Sequence, residues 1–244
     1  MKMLAFASRN TKEILRDPLT LFFGIGFPII LLLLLSLIQA NIPVDLFKIE
    51  HLSPGICVFG LSFMTLFSAS IISKDRASAL LQRLYTTPLT PIDFILGYTL
   101  PIIPISVLQC IVCYITAICL GLNVTVNIIW AILFIIPVSF IYVALGLLFG
   151  SILTDKQVGG ICGALLTNVS AWLSGIWFDL ELVGDAFKKF SYSLPFVHAV
   201  ELERAVILGN YNNVFSHLFW VLGYAFILFT LAVLLFIRQM KKQS

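Results

Sequence analysis

Five polar side chains within long apolar stretches are the residues best suited to contact a solute: Gln109, Thr167, Asn168, Ser170 and Ser174. Carboxamides and hydroxyls at such positions can line a substrate path, but they serve equally well as hydrogen bonds between helices, each worth about 1 kcal/mol. Both interpretations stay open. The same stretches contain no Lys, Arg, Asp or Glu, so they lack the charged groups with which ion-coupled carriers work.

The sequence lacks the motifs of enzymes, metal sites and phosphate-binding loops. No Lys follows a Gly, which excludes a GxxxxGK[ST] loop, and the three His residues are too far apart for HExxH spacing. Cys110 and Cys113 form a CxxC pair, but no second pair or nearby His accompanies it, so we interpret it as packing of two small apolar side chains. We therefore predict no catalytic residue, no bound cofactor and no metal.

The composition is that of a membrane protein. Of the 244 residues, 60% are hydrophobic and 11% charged, against about 45–50% apolar and about 25% charged in soluble domains. A spanning helix needs about 20 mostly apolar residues. Six stretches reach that length, at 19–39, 53–73, 96–120, 128–153, 158–178 and 217–237. We predict an all-α integral membrane protein with six transmembrane helices, forming a single domain over residues 1–244.

The basic residues predict the orientation, because cytoplasmic flanks retain Lys and Arg. With the N-terminus inside, 11 of the 15 Lys and Arg residues are cytoplasmic; the other four are Lys48, Lys188, Lys189 and Arg204. An even number of spans then places both termini in the cytoplasm. We expect a multi-pass protein of a bacterial cell membrane, surrounded by membrane lipid. A net charge of only +3, without interleaved aromatic residues, argues against a nucleic-acid partner.

Residues 2–16 predict an amphipathic helix that lies on the cytoplasmic interface and stops at Asp17-Pro18. The alternative is a basic tail that only sets the topology. The apolar stripe of this helix consists of Leu4, Ala7, Thr11, Ile14 and Leu15.

The cytoplasmic loop 74–94 predicts two short helices. Thr87-Pro88 ends the first, and Thr90-Pro91 with Asp93 begins the second by supplying a cap, a first-turn proline and an acidic third position. The apolar stripe of the first consists of Ala77, Leu80, Leu81, Leu84 and Tyr85. An exposed apolar stripe needs a cover, which is either a partner or the protein's own helices.

The external stretch 179–216 is too apolar for a solvated loop and too often charged to span. Two helical patterns meet at Leu194-Pro195, which predicts a re-entrant helical hairpin dipping part-way into the outer leaflet before the last span. A cap on the extracellular surface is the alternative.

Glycine and proline positions predict how the spans pack. Gly146 with Gly150, and Gly159 with Gly163, have the GxxxG spacing that lets two helix backbones approach closely. Pro101 and Pro104, near the start of the third span, predict a kink there.

Two longer stretches carry a family resemblance. KDRASALLQRLYTTPLTPIDFILGY, residues 74–98, is similar to the cytoplasmic loop of the type-2 ABC transporter permeases, which reads an acidic residue and Arg, then Leu, then Thr-Pro-Leu, then Leu-Gly. LSGIWFDLELVGDAFKKFSYSLPF, residues 173–196, resembles that family's Ser-Gly, short interfacial helix and Leu-Pro. The order of elements along nearly the whole chain is similar as well.

The resemblance implies a permease that exports an amphiphilic drug, peptide or lipid-like compound and forms a homo- or heterodimer with a second permease copy. A separate ABC ATPase subunit would bind the ATP, so this chain is expected not to be an enzyme. The residues implied in ATPase coupling are Asp75, Arg76, Leu80, Leu81, Leu84, Tyr85 and Pro88. By analogy the substrate path would lie at the dimer interface, near spans one, two and five. The candidate residues for the path are Gln109, Asn168, Ser170 and Ser174.

Two rival hypotheses remain at the level of the sequence. The first is a stand-alone channel or ion-coupled secondary carrier, which would need no ATPase. The second is a membrane-embedded enzyme or assembly factor, which would depend on a single polar residue such as Asn168.

Overall fold

The protein, seen in a computed structural model that describes residues 2–42, 47–78 and 90–243, is built of helices and has no strand in those residues. The described helices are α1 Lys2–Arg16, α2 Pro18–Gln39, α3 Ile49–Ala77, α4 Pro91–Cys119, α5 Asn127–Ile152, α6 at 155–173, α7 Asp185–Tyr192, α8 Pro195–Ile207 and α9 Tyr211–Gln243.

Five of these helices are long and apolar enough to cross a bilayer, namely α2, α3, α4, α5 and α9. They confirm the prediction of an all-α membrane protein. The remaining predicted span, 158–178, corresponds to the shorter α6, whose middle Gly159–Leu166 is π-helical. Its three glycines have low helix propensity, so this segment departs from the regular α-helical form more easily than its neighbours. The number of six spans therefore stays a prediction.

Helix α3 forms the centre of the bundle. Buried residues make up 89% of its apolar window, against 22% for α2 and for α9. It contacts α2, α4, α5, α6 and α8, while α9 packs on α5 and α8. Since lipid is as apolar as the side chains, burial here reports helix–helix contact rather than escape from water. The exposed faces of α2 and α9 are available to lipid or to another protein.

The first predicted glycine pair is a close helix contact. A Cβ atom added at Gly146 would lie 2.5 Å from the Cβ of Ser68, and one at Gly150 would lie 3.0 Å from the backbone oxygen of Ala69. These distances confirm close packing between α5 and α3. The second pair makes no joint contact within the described residues, because a Cβ added at Gly163 meets a side chain of α3 whereas one at Gly159 meets no atom within 4 Å; its close packing stays a prediction.

The start of α4 has the predicted capping residues. Asp93 donates its backbone N–H to Thr90 Oγ1 at 3.3 Å, and Thr90 donates its own to Asp93 Oδ2 at 2.9 Å, which is a complete capping box. The helix is interrupted at 100–101, between Pro91–Thr99 and Ile102–Cys119, as the proline at position 101 predicts.

The external stretch folds as the predicted pair of helices. A 3₁₀ turn Leu180–Val183 leads into α7, and a short connection at 193–194 joins α7 to α8. Helix α8 is buried along most of its length, against α3, α5 and α9. Its depth relative to the bilayer stays a prediction.

Candidate functional site

Helix α1 packs on the first half of α4. The Phe6 ring meets the ring of Tyr98 edge-on at a centroid distance of 4.9 Å, and Asn10 donates its side-chain amide to Gly97 O at 2.9 Å. Of the apolar stripe predicted for α1, Ala7 and Ile14 are buried, whereas Leu4 and Leu15 are 57% and 47% exposed; Phe6 and Asn10, outside that stripe, are buried as well. Packing against α4, rather than the number of apolar residues on a face, decides which face of α1 is buried. The amide of Asn10 can be buried there because it has a hydrogen-bond partner.

One carboxylate joins α1, α3 and α4. Arg9 donates to both oxygens of Asp75, at 2.5 and 2.8 Å, and the Tyr98 hydroxyl donates to Oδ2 at 3.0 Å. Asp75 is only 2% exposed, whereas 37% of the Arg9 side chain is exposed, and Arg9 also pairs with Glu13 at 2.7 Å. Burial alone would lower the pKa of Arg9, but its hydrogen bonds to Asp75 and the nearby negative charges raise it.

The next residue ties α3 to α5. Arg76 donates to Gly150 O at 2.8 Å and to Leu153 O at 3.2 Å. The last carbonyls of a helix have no partner within the helix and carry its negative dipole end, so a guanidinium stabilises them there. Asp75 and Arg76, both implied in coupling by the resemblance, thus hold the end of α3 to α1, α4 and α5. The other implied coupling residues lie outside the described residues: Leu80, Leu81, Leu84, Tyr85 and Pro88.

The implied substrate-path residues are not brought together by hydrogen bonds. Gln109 is fully buried and donates to Cys57 O at 3.4 Å and to Cys113 Sγ at 3.3 Å, which joins α4 to α3. The polar residues of α6 bond instead to carbonyls of the same helix, Asn168 to Ala164 at 2.8 Å among them. Thr167, Ser170 and Ser174 do the same. The path stays a prediction.

The cysteine pair is buried between α3 and α4. Cys110 and Cys113 are fully buried, and Cys57 of α3 is buried beside them. This placement agrees with the interpretation as small apolar packing groups. Over residues 2–42, 47–78 and 90–243, no three His, Cys, Asp or Glu side chains are arranged to hold a metal ion.

Sequence reasoning missed a buried carboxyl group in the external hairpin. Glu203 of α8 is fully buried, and its Oε2 accepts the hydroxyl of Tyr114 in α4 at 3.3 Å. Its Oε1 has no hydrogen-bond partner in the described part of the chain. Burial in apolar surroundings disfavours the ionised form and raises the pKa of Glu203, although the hydrogen bond from Tyr114 acts in the opposite direction. A signal existed, since position 203 falls on the helical stripe that contains Phe196, Val200 and Ile207.

The protonated state of Glu203 can be tested by substitution. We expect Glu203→Gln to leave thermal stability nearly unchanged, because a neutral amide of the same shape can still accept from Tyr114. Glu203→Ala should cost about 1–3 kcal/mol through the unsatisfied Tyr114 hydroxyl, with a further cavity cost. Thermal unfolding of the detergent-purified variants measures both. Equal losses in the two variants would contradict the assignment of a neutral, hydrogen-bonded carboxyl group.

The external hairpin is held to the bundle by polar contacts around a cavity of about 530 Å³. Arg204 donates to Gly175 O at 2.9 Å and to His51 O at 3.2 Å, and thereby fastens α8 to the end of α6 and to the start of α3. His198 Nδ1 lies 3.0 Å from His217 Nδ1, and burial lowers the pKa of His198. These contacts fix α8, and with it Glu203, against the spans.

Comparison with known proteins identifies a family that covers the helices from α1 to α8. A family model described as ABC-2 type transporter matches residues 1–208. A search among curated proteins found no match. The matched range contains the Arg9–Asp75 contact and the buried Glu203, and it ends one residue after α8.

Proposed function

The chain belongs to the ABC-2 type transporter family, and from that premise we propose that it is the transmembrane permease subunit of an exporter driven by a separate ATPase subunit. The observation that carries the proposal is the cluster at Asp75. It joins three helices at the end of α3, directly before the loop whose apolar stripe needs a cover. The sequence has no phosphate-binding loop of its own, so ATP would be bound by the partner.

Helix α3 is the element suited to transmit force from that loop. Its end is fixed to α1 and α4 through Asp75 and to α5 through Arg76. Its buried body contacts most of the other spans. A push on the loop by a closing ATPase would therefore move α1, α3 and the ends of α4 and α5 together, as one rigid body.

The proposed cargo is an amphiphilic drug, peptide or lipid-like compound that leaves the inner leaflet. The low charge content of the spans supports an apolar path, because a strongly charged solute would need charged groups along its way. The exposed faces of α2 and α9 support a second permease copy, since each leaves most of its apolar window uncovered.

The ATPase partnership is tested by pull-down of the tagged protein from native membranes. We expect an ATP-hydrolysing subunit to accompany the unchanged chain and to be lost with Leu84→Asp, because a carboxylate on the apolar stripe would have to be desolvated in the contact. Leu182→Asp, the same change on an exposed residue of the external hairpin, is the matched control and should retain the subunit. Recovery of the subunit with Leu84→Asp would contradict the proposed contact.

One observation favours a second candidate, a proton-coupled carrier. Glu203 is a buried, titratable group of the kind that proton relays use. In proteoliposomes without ATPase, such a carrier would accumulate substrate when a pH gradient is imposed, and Glu203→Gln would abolish that accumulation. The ATPase-driven permease would show neither effect.

A further inference from the structure

A cavity of about 1010 Å³ opens where α1, the start of α2 and the end of α3 meet. The chain passes from α1 into the span α2 at Asp17, and α3 ends at Ala77. The cavity therefore lies where two spans leave the hydrocarbon, at the level of the lipid headgroups. Its size suits a headgroup together with the first carbons of the attached chains.

The rim of this cavity carries unpaired positive charge. Lys12, Arg16 and Lys74 line the cavity with exposed side chains, which we take as its rim, and form no ion pair with the residues that the structure describes. The two carboxylates of the lining are engaged elsewhere. Glu13 pairs with Arg9 at 2.7 Å, and Asp17 caps α2 by accepting the backbone N–H of Leu19 at 3.0 Å.

The wall below the rim is apolar and aromatic. It is formed by Phe23 of α2 with Leu66, Phe67 and Ile71 of α3. Leu15 and Leu19, on either side of the junction between α1 and α2, are exposed close by. Cations above an apolar wall match an amphiphile with an anionic head, whereas a soluble anion would leave the wall uncovered.

We propose that this cavity binds one anionic phospholipid, with its phosphate held by Lys12, Arg16 and Lys74 and its glycerol and first acyl carbons on the aromatic wall. The ammonium and guanidinium groups donate charge-assisted hydrogen bonds to the phosphate oxygens. Basic residues at this depth also gain from the negative potential of the leaflet surface. The site does not depend on the proposed ATPase partnership, because only residues of this chain form it.

Native mass spectrometry of the purified full-length chain tests the site. Phosphatidylglycerol is titrated against phosphatidylcholine, whose headgroup is neutral overall, and against glycerol phosphate, which has the phosphate without acyl chains. We expect one saturable phosphatidylglycerol per chain, bound at least fivefold more tightly than phosphatidylcholine, and no saturable binding of glycerol phosphate. Equal binding of the two lipids, or equal binding of glycerol phosphate, would overturn the proposal.

Charge variants assign the site to its residues. Each removed Lys should weaken phosphatidylglycerol binding about fivefold, so Lys12→Ala with Lys74→Ala should weaken it about 30-fold. Lys12→Arg with Lys74→Arg should retain binding. Lys156→Ala with Lys189→Ala removes the same charge from exposed positions elsewhere and is the matched control. The assignment would be overturned if the control variant lost as much phosphatidylglycerol binding as the Lys12 and Lys74 variant. It would also be overturned if the Lys12 and Lys74 variant lost none.

Discussion

Changing Arg9 to Ala is expected to release α1 from the end of α3 and to uncouple ATP hydrolysis from transport. The change leaves Asp75, 2% exposed, with the Tyr98 hydroxyl in place of a bidentate guanidinium. Stranding a buried charge costs roughly 3–5 kcal/mol. Because 37% of the Arg9 side chain is exposed and water already screens the pair, we expect about 2 kcal/mol. Denaturant unfolding in lipid-free detergent measures this loss.

A double variant separates the ion pair from mere truncation of Arg9. Arg9→Ala combined with Asp75→Asn has no unpaired charge, so it should be more stable than Arg9→Ala alone. Lys12→Ala, which removes an exposed cation from the same helix, should cost little. If the double variant were the least stable of the set, the contact would not act as an ion pair.

The second large effect is expected from filling the contact between α5 and α3. A Cβ atom at Gly150 would lie 2.8 Å from the Cβ of Ile72 and 3.0 Å from the backbone of Ala69, so no flexible side-chain end can yield. Gly150→Ala should cost about 1–3 kcal/mol, the usual range for overpacking. Gly150→Leu should prevent folding. Thermal unfolding and the yield of monodisperse protein measure these effects.

Gly223→Ala is the matched control for that contact. Gly223 lies within a helix as Gly150 does, but a Cβ there meets no atom of the described residues within 4 Å. Alanine should therefore be neutral, or stabilise α9 by about 0.5–1 kcal/mol through helix propensity. Equal losses at the two positions would show that the cost is not the close approach of α5 to α3.

Features that depend on local sequence were predictable. The long apolar stretches predicted the five helices that are long and apolar enough to cross a bilayer, because a membrane requires about 20 apolar residues in succession. Asp17-Pro18 placed the end of α1 at Arg16, and Thr90 with Asp93 placed the start of α4, since caps and prolines act within a few residues. No cap or proline marks the π-helical middle of α6, so the local sequence did not predict its irregular form.

Features that depend on pairs of distant residues were not predictable from one sequence. Arg9 and Asp75 are 66 positions apart, and Tyr114 and Glu203 are 89 positions apart. Nothing in either local pattern names its partner. The sequence shows which polar residues lie within apolar stretches, but it does not show their partners. Asn168 bonds to its own helix, whereas Gln109 bridges two helices. Both patterns look alike in the sequence, because the choice of partner depends on helix rotation and side-chain rotamer.

The most direct test of the account is transport by the purified chain in liposomes, with and without the co-purified ATPase, using a fluorescent amphiphile as cargo. We expect accumulation against a gradient only when the ATPase and ATP are both present. Without them, no pH or sodium gradient should drive accumulation. Uphill movement of the amphiphile by the chain alone would contradict the account.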